Sequence, residues 1–240
     1  MLRIMSEEDR VVKDSDIVWY NRSHLLRNRG AYNFYITTDF ATSDKEANDF
    51  SVINVWALNN NGDWHWVDGY CKKSLMNDTI NKLFILAQEY RPQEVGIETS
   101  GQQGGFISWI QNEMGYRNIY FTLSTGKNST VIGIKSSKDK FSRFQQNAVP
   151  LFQAKKIWLP QELKDSEELM ELLSELSLVT VKGFKSKNDD QLDTITMLAE
   201  LNSWRPSEEA PPEEQEHSHH SDKMWIGEDR RPVGDSSYFV

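Results

Sequence analysis

The 240-residue chain carries 36 acidic and 27 basic side chains, a formal net charge of -9, and 38% hydrophobic residues, enough to bury a full core. Its single cysteine, Cys71, excludes an internal disulfide and a Cys-cluster zinc site, and fits a reducing compartment. Met1–Ser6 is too short for a signal h-region and no apolar run approaches the roughly 20 residues that span a bilayer, so the expectation is a soluble, cytoplasmic protein.

Residues 1–32 are polar with scattered apolar positions (Ile17, Val18, Trp19, Leu25, Leu26) and no sustained period, and read as a lead-in segment or linker. The β-branched and aromatic runs 33–41 and 50–58 predict strands, the second closed by the turn signal Asn59-Asn60-Asn61-Gly62, and 64–70 resumes the alternation. Three consecutive strands predict antiparallel neighbours. Asn77 or Asp78 is a candidate cap for a helix with Ile80, Leu83, Phe84 and Ala87 on one face, ending before Pro92. Residues 94–98 (EVGIE) read as a short buried strand, a Gly-rich stretch and a helix through Trp109 and Met114 follow, and 118–123 reads as a fifth strand. Helical patterns then cover 138–146, 166–178 and 189–202. Past Pro206 the composition turns to Pro, Glu, Ser and His, which predicts an acidic, disordered tail over 206–240. This order gives an α/β fold, a mixed sheet of about five strands whose fourth arrives by a crossover, flanked by helices.

Charge is unevenly spread. Residues 206–240 hold nine acids against three basic residues, a net of -6, whereas Gly126–Lys156 holds seven Lys/Arg and one acid, Asp139. A basic stripe is therefore available for DNA phosphates, with Lys138, Lys140 and Arg143 as its candidates, although a solvated helix face fits them as well.

The acids carry more chemistry. Asn188-Asp189-Asp190-Gln191-Leu192-Asp193 opens a helix with three carboxylates, pairing either Asp190 with Asp193 or Asp189 with Asp193 on one face. N-capping and the helix dipole account for two acids but poorly for a third, and two unit charges about 4 Å apart repel by roughly 4 kcal/mol near a protein surface, which favours a bound cation. Asp39 and Glu98 fall at the carboxyl ends of the first and fourth predicted strands, where open α/β sheets place ligand sites. Each acid alone reads as a strand-end turn or cap; the case rests on all positions matching at once. His217, His219 and His220 sit in the acidic tail and read as solvated sequence rather than ligands. Gly101–Gly105 fits a flexible connection better than a phosphate cradle, and Trp56, Trp64 and Trp66 fit strand packing better than base stacking.

Asp39-Phe-Ala with Asp49 downstream, Val95-Gly-Ile-Glu98-Thr, Lys140-Phe-Ser-Arg143 ahead of Leu-Phe-Gln-Ala-Lys-Lys-Ile-Trp-Leu-Pro, and Asn188-Asp-Asp-Gln-Leu-Asp193 together resemble the nuclease domain of tailed-bacteriophage terminase large subunits over about residues 33–204. The resemblance implies an RNase H-like domain at 33–205 and a two-metal endodeoxyribonuclease that cleaves concatemeric viral DNA during head packaging in the host cytoplasm. By position, Asp39, Glu98, Asp190 and Asp193 would be the catalytic acids and hold two Mg²⁺ or Mn²⁺ ions, and Asp49 reads as a solvated loop acid. Implied partners are double-stranded DNA, the terminase ATPase motor, the small terminase subunit and the portal protein, with no membrane. The chain departs from the family in lacking a Gly-x-x-x-x-Gly-Lys-Ser/Thr loop; Ser124-Thr-Gly-Lys-Asn-Ser-Thr130 lacks the first glycine. The expectation is an excised domain or a motor on another polypeptide, with residues 1–30 as the connection. Two other readings stay open: another RNase H-like nuclease such as a resolvase or transposase, and a non-catalytic DNA-binding or docking module whose acids are solvated caps.

The -6 segment generates one expectation of its own. Truncation at Pro206 should leave the fold intact and raise DNA affinity at low salt, with the gain shrinking as salt rises. Filter binding at two salt concentrations measures this, and equal low-salt affinities reject autoinhibition.

Overall fold

The computed structural model describes residues 9–41, 50–99, 104–135, 139–186 and 189–208. Asp49, Lys138, Asn188, the three histidines of the acidic segment and all of residues 209–240 lie outside them.

Strands β1 (Val18–Tyr20), β2 (Asn33–Asp39), β3 (Ser51–Leu58), β4 (Trp64–Lys72), β5 (Glu94–Ile97) and β6 (Ile157–Pro160) form one mixed sheet in the order β1-β6-β4-β3-β2-β5. The meander β2-β3-β4 is antiparallel, as the turn at Asn59–Gly62 predicts: Asn59 Oδ1 accepts from the backbone amides of Asn61 and Asp63. β5 reaches β2 through a helical crossover and pairs with it in parallel. Helices α1 (Arg22–Arg27), α2 (Met76–Tyr90) and α3 (Gly104–Arg117) lie ahead of a long helical run. That run comprises α4 (Lys140–Arg143), a π-helical stretch Phe144–Ala148 and α5 (Val149–Gln153), and is followed by α6 (Glu167–Ser177) and α7 (Asp190–Thr196). Pro150 explains the π widening, since its ring would clash with the carbonyl four residues back in a regular α-helix.

Two apolar layers cover the sheet. Phe34, Ile36, Ile53, Val55 and Val67 face Ile80, Leu83, Phe84 and Ile110, while Tyr35, Trp56, Trp64 and Trp66 face Phe144, Phe152, Leu169, Leu172, Leu192 and Ile195. Because helices cover both faces, β3 is buried at every position, and the tryptophans are core packing rather than base-stacking surface. A short hairpin, β7 (Val179–Thr180) with β8 (Gly183–Phe184), stands outside the main sheet. Among the described residues no helix is long and apolar enough to cross a membrane.

Several elements differ from the sequence reading. Within the segment read as a lead-in, Val18–Tyr20 is an edge strand of the main sheet, paired with β6 and invisible to periodicity because each strand is only three or four residues long. The expected fifth strand at 118–123 reduces to a single bridge, Leu123 with Val95: Asn118 is left-handed at φ 53° and Tyr120 is exposed, so the segment touches the β5 edge without following it. Helix α2 begins at Met76 after Leu75, so neither Asn77 nor Asp78 is its cap, although Asp78 still faces the positive end of the dipole. Its end before Pro92 is as expected, with Arg91 left-handed.

At the sheet centre Asn54 on β3 stands opposite Thr37 and Gly69, and it accepts the Trp66 indole N–H at 2.7 Å. A Cβ on Gly69 would collide with the Trp66 ring and come within 2.9 Å of Asn54 Oδ1. Gly69→Ala is therefore expected to cost about 1–3 kcal/mol as an overpacked core, read as a lower urea midpoint at constant m. An unchanged midpoint would mean that the ring can withdraw.

Candidate metal centre

Three acids separated by up to 154 positions in the chain converge at one end of the sheet: carboxylate oxygens of Asp39, Glu98 and Asp193 lie within 4.8 Å of one another. Strand pairing explains the first two. Thr38 is in register with Ile97 on the parallel strand, so the next residues, Asp39 and Glu98, leave the sheet side by side. Asp193 comes from α7, which packs on β2 and β3. All three are buried, at 9%, 5% and 1% exposure.

Of the late acids, Asp193 is the one in the cluster. Asp189 occupies the position before the helix, yet its side chain makes no capping bond; it accepts Lys140 Nζ at 3.0 Å instead. Asp190 opens α7 and lies outside the three-acid group, but its charge is felt by Asp39. The Asp189/Asp193 pairing thus faces the basic residues.

Lys140 and Arg143, expected on a DNA-facing stripe, turn inward to these acids. Lys140 pairs with Asp189 and Asp193, and the buried Arg143 guanidinium bridges Glu98 at 3.3 Å and Asp193 at 3.1 Å. The reason lies in desolvation: acids this deep recruit nearby cations, and spacing of three puts both basic residues on one helix face. Lys140 remains half exposed at the mouth of the cluster.

Two cations do not balance five neighbouring carboxylates, Asp39, Glu98, Asp189, Asp190 and Asp193. Burial raises the Asp39 carboxyl well above its usual range, helped by the charges of Glu98, Asp193 and Asp190. Burial also lifts Asp193 to about 6, against the pull of Lys140 and Arg143. For Lys140 burial works against the ammonium, but Asp193 and Asp189 outweigh it and hold its pKa above the usual lysine range. Asp193 Oδ2, though in ion-pair contact with Lys140, has no partner at hydrogen-bonding geometry. A cluster of buried carboxylates that offers only oxygen donors fits a hard divalent cation better than zinc, which favours Cys or His.

Other groups that set this geometry escaped the sequence reading. The α7 helix is anchored by Asn54 Nδ2, which donates to Gln191 Oε1 at 2.8 Å and to Thr194 Oγ1 at 2.7 Å. It is also anchored by Glu175 on α6, which accepts the Leu192 amide at 3.1 Å. Both signals were legible in principle: an Asn inside an apolar strand run, and a Glu on the Leu172 stripe of a helix.

No protein-family model matches the sequence, and no curated protein matches it. Solved structures with the same fold exist. The chain is similar to the large terminase nuclease from thermophilic phage G20c with bound magnesium, at TM-score 0.50 and 17% identity over 79% of this chain and 95% of that one. It is also similar to the human cytomegalovirus terminase nuclease domain, Mn soaked and inhibitor bound, at TM-score 0.53 and 12% identity over 78% and 92%. At such identities the likeness is one of fold, and it agrees with the mixed sheet flanked by helices expected from the sequence, here with six strands rather than about five.

Because the folded carboxyls hold protons to higher pH than the unfolded chain does, their stabilising contribution is complete below the unfolded carboxylate range. It is lost as pH rises through the folded values, about 6 for Asp193 and about 8 for the buried Glu175. In EDTA the melting temperature should therefore fall by several degrees, roughly 2–4 °C per kcal/mol, between pH 5 and pH 8. Asp39→Asn should flatten that fall and raise the pH 8 value. Scanning calorimetry checks both, and a flat wild-type profile rejects the strained-acid account.

Proposed function

We propose that this chain is a divalent-metal-dependent DNA endonuclease, the nuclease of a terminase large subunit that cleaves concatemeric viral DNA during genome packaging. The observation that carries the reading is the convergence of Asp39, Glu98 and Asp193 at the carboxyl end of the sheet. The likeness in fold to two terminase nucleases supports it. In this reading these three acids hold two Mg²⁺ or Mn²⁺ ions, with Asp190 as a fourth acid at the rim. When bound, such ions lower the pKa of a water and stabilise charge on the scissile phosphate and the leaving 3′ oxygen.

The protein's part is to hold the acids in place. Asp39 and Glu98 are fixed by two paired strands, Asp193 by a packed helix, and Arg143 spans Glu98 and Asp193. Arg143 is buried, so its proposed role is orientation of the acids rather than contact with DNA. Lys140, half exposed, is the residue proposed to take a DNA phosphate once its carboxylate partners are engaged elsewhere, with Lys138 beside it in sequence. Residues 33–205 together with the edge strand Val18–Tyr20 and its flanking residues would be the catalytic unit, the residues before them the connection toward an ATPase motor on the same or another chain, and 206–240 an acidic extension. Double-stranded DNA, the small terminase subunit and the portal protein are the proposed partners, in the cytoplasm of the infected host.

Incubation with supercoiled plasmid should yield nicked and linear DNA with Mn²⁺ and none in EDTA. Asp39→Asn, Glu98→Gln and Asp193→Asn should each lower the rate by more than the roughly 10–100-fold typical of outer-shell substitutions. Full cleavage by folded Asp39→Asn rejects the site, and a strong preference for four-way junctions over linear duplex would transfer the assignment to a resolvase. Separately, Lys140→Ala should weaken DNA binding at all sequences and reduce the salt slope by about one unit. An unchanged slope leaves Lys140 as a counterion to the acids alone.

A further inference from the structure

The α7 helix has no cap of its own. Asp189 stands where a capping side chain belongs, but it is turned away to Lys140, and the first-turn amides of α7 would be left bare in the core. They are met instead from another element. Glu175, 16 positions before Gln191 and 1% exposed on α6, receives the Leu192 amide on Oε2 at 3.1 Å and the Gln191 amide on Oε1 at 3.5 Å. The same helix accepts the Gln191 side-chain amide on the Glu168 carbonyl at 3.0 Å, while Asn54 holds the opposite edge of Gln191. No step of the reaction uses Glu175.

Resting on the metal-centre reading above, we propose that Glu175 is a positioning residue for that centre: it caps α7 from α6 and thereby sets the rotation and depth at which Asp193 enters the acid cluster. The division of labour has a physical logic. Asp189 Oδ1 is engaged by Lys140, and the side chain makes no bond to the helix amides. Delegating the cap to α6 frees Asp189 to hold the cation. Leu192, whose amide Glu175 fixes, immediately precedes Asp193, so loosening that amide moves the ligand directly.

The test is Mn²⁺ affinity of the full chain by titration calorimetry, without DNA. Glu175→Ala should weaken binding by about tenfold or more, within the range usual for groups that orient ligands. Glu175→Gln, which keeps a carbonyl oxygen for the Leu192 amide, should stay within about threefold of wild type. Leu172→Ala, one turn away on the same buried face, supplies a destabilised control expected to leave affinity unchanged. If Glu175→Ala does not fold, Glu175→Asp takes its place, since one methylene less cannot reach both amides, and a loss of several-fold is expected. Ala or Asp variants with wild-type affinity, or a Gln variant as weak as Ala, overturn the proposal. A loss no greater than that of Leu172→Ala also overturns it. Absence of Mn²⁺ binding by the wild-type chain would instead reject the metal centre itself, an outcome distinguishable from the others because it needs no variant.

Discussion

The desolvation of three carboxylates at one end of the sheet is the constraint on which the rest of the molecule depends. Asp39, Glu98 and Asp193 have their oxygens within 4.8 Å of one another and almost no contact with solvent. Like charges at this distance in a medium of low polarity oppose folding, and the raised pKa values of Asp39 and Asp193 express that opposition. Arg143 and Lys140 offset part of it. Arg143 does so rigidly, buried between Glu98 and Asp193, whereas Lys140 does so from the rim with half its side chain in water. Such an arrangement is better suited to receiving divalent cations than to stabilising a fold, since buried ion pairs are weak stabilisers on balance.

A strained cluster persists only where its surroundings over-determine it. Here the support comes from two directions. The parallel pairing of β2 with β5 fixes Asp39 and Glu98 through backbone hydrogen bonds that no side-chain rearrangement can relax. On the other side α7 is tied to the sheet centre through Asn54, itself held by the Trp66 indole, and to α6 through Glu175. This polar network is buried within an otherwise apolar layer of Trp56, Leu172, Leu192 and Ile195, where a polar group without a partner would be costly. Its members are satisfied, so it can specify one seating of α7 where apolar packing alone would tolerate several. The acids and their scaffold are thus one construction, with the sheet supplying two of the acids and the packing of α7 the third.

The chain by itself determined the elements that need only local physics. The β2-β3-β4 meander follows from β-branched and aromatic runs broken at Asn59–Gly62, the end of α2 from Pro92, and the acids at strand ends from simple counting along those runs. The placement of Asp39 and Glu98 at strand ends was legible because strand ends are set by sequence. Three matters were decided only by tertiary structure. Val18–Tyr20 and Ile157–Pro160 become strands because they pair with each other and the second pairs in turn with β4, a partnership between segments too short to show a period. Helical spacing pairs Asp193 with either Asp189 or Asp190; in the structure Asp193 joins Asp39 and Glu98, Asp189 turns to Lys140 and Asp190 stays outside the group, on a helix tied down by Asn54 and Glu175, residues far away in the chain. Lys140 and Arg143 read as a basic stripe as long as charge is counted along the chain. Their direction depends on where the acids lie, and unpaired carboxylates at low solvent exposure draw them inward.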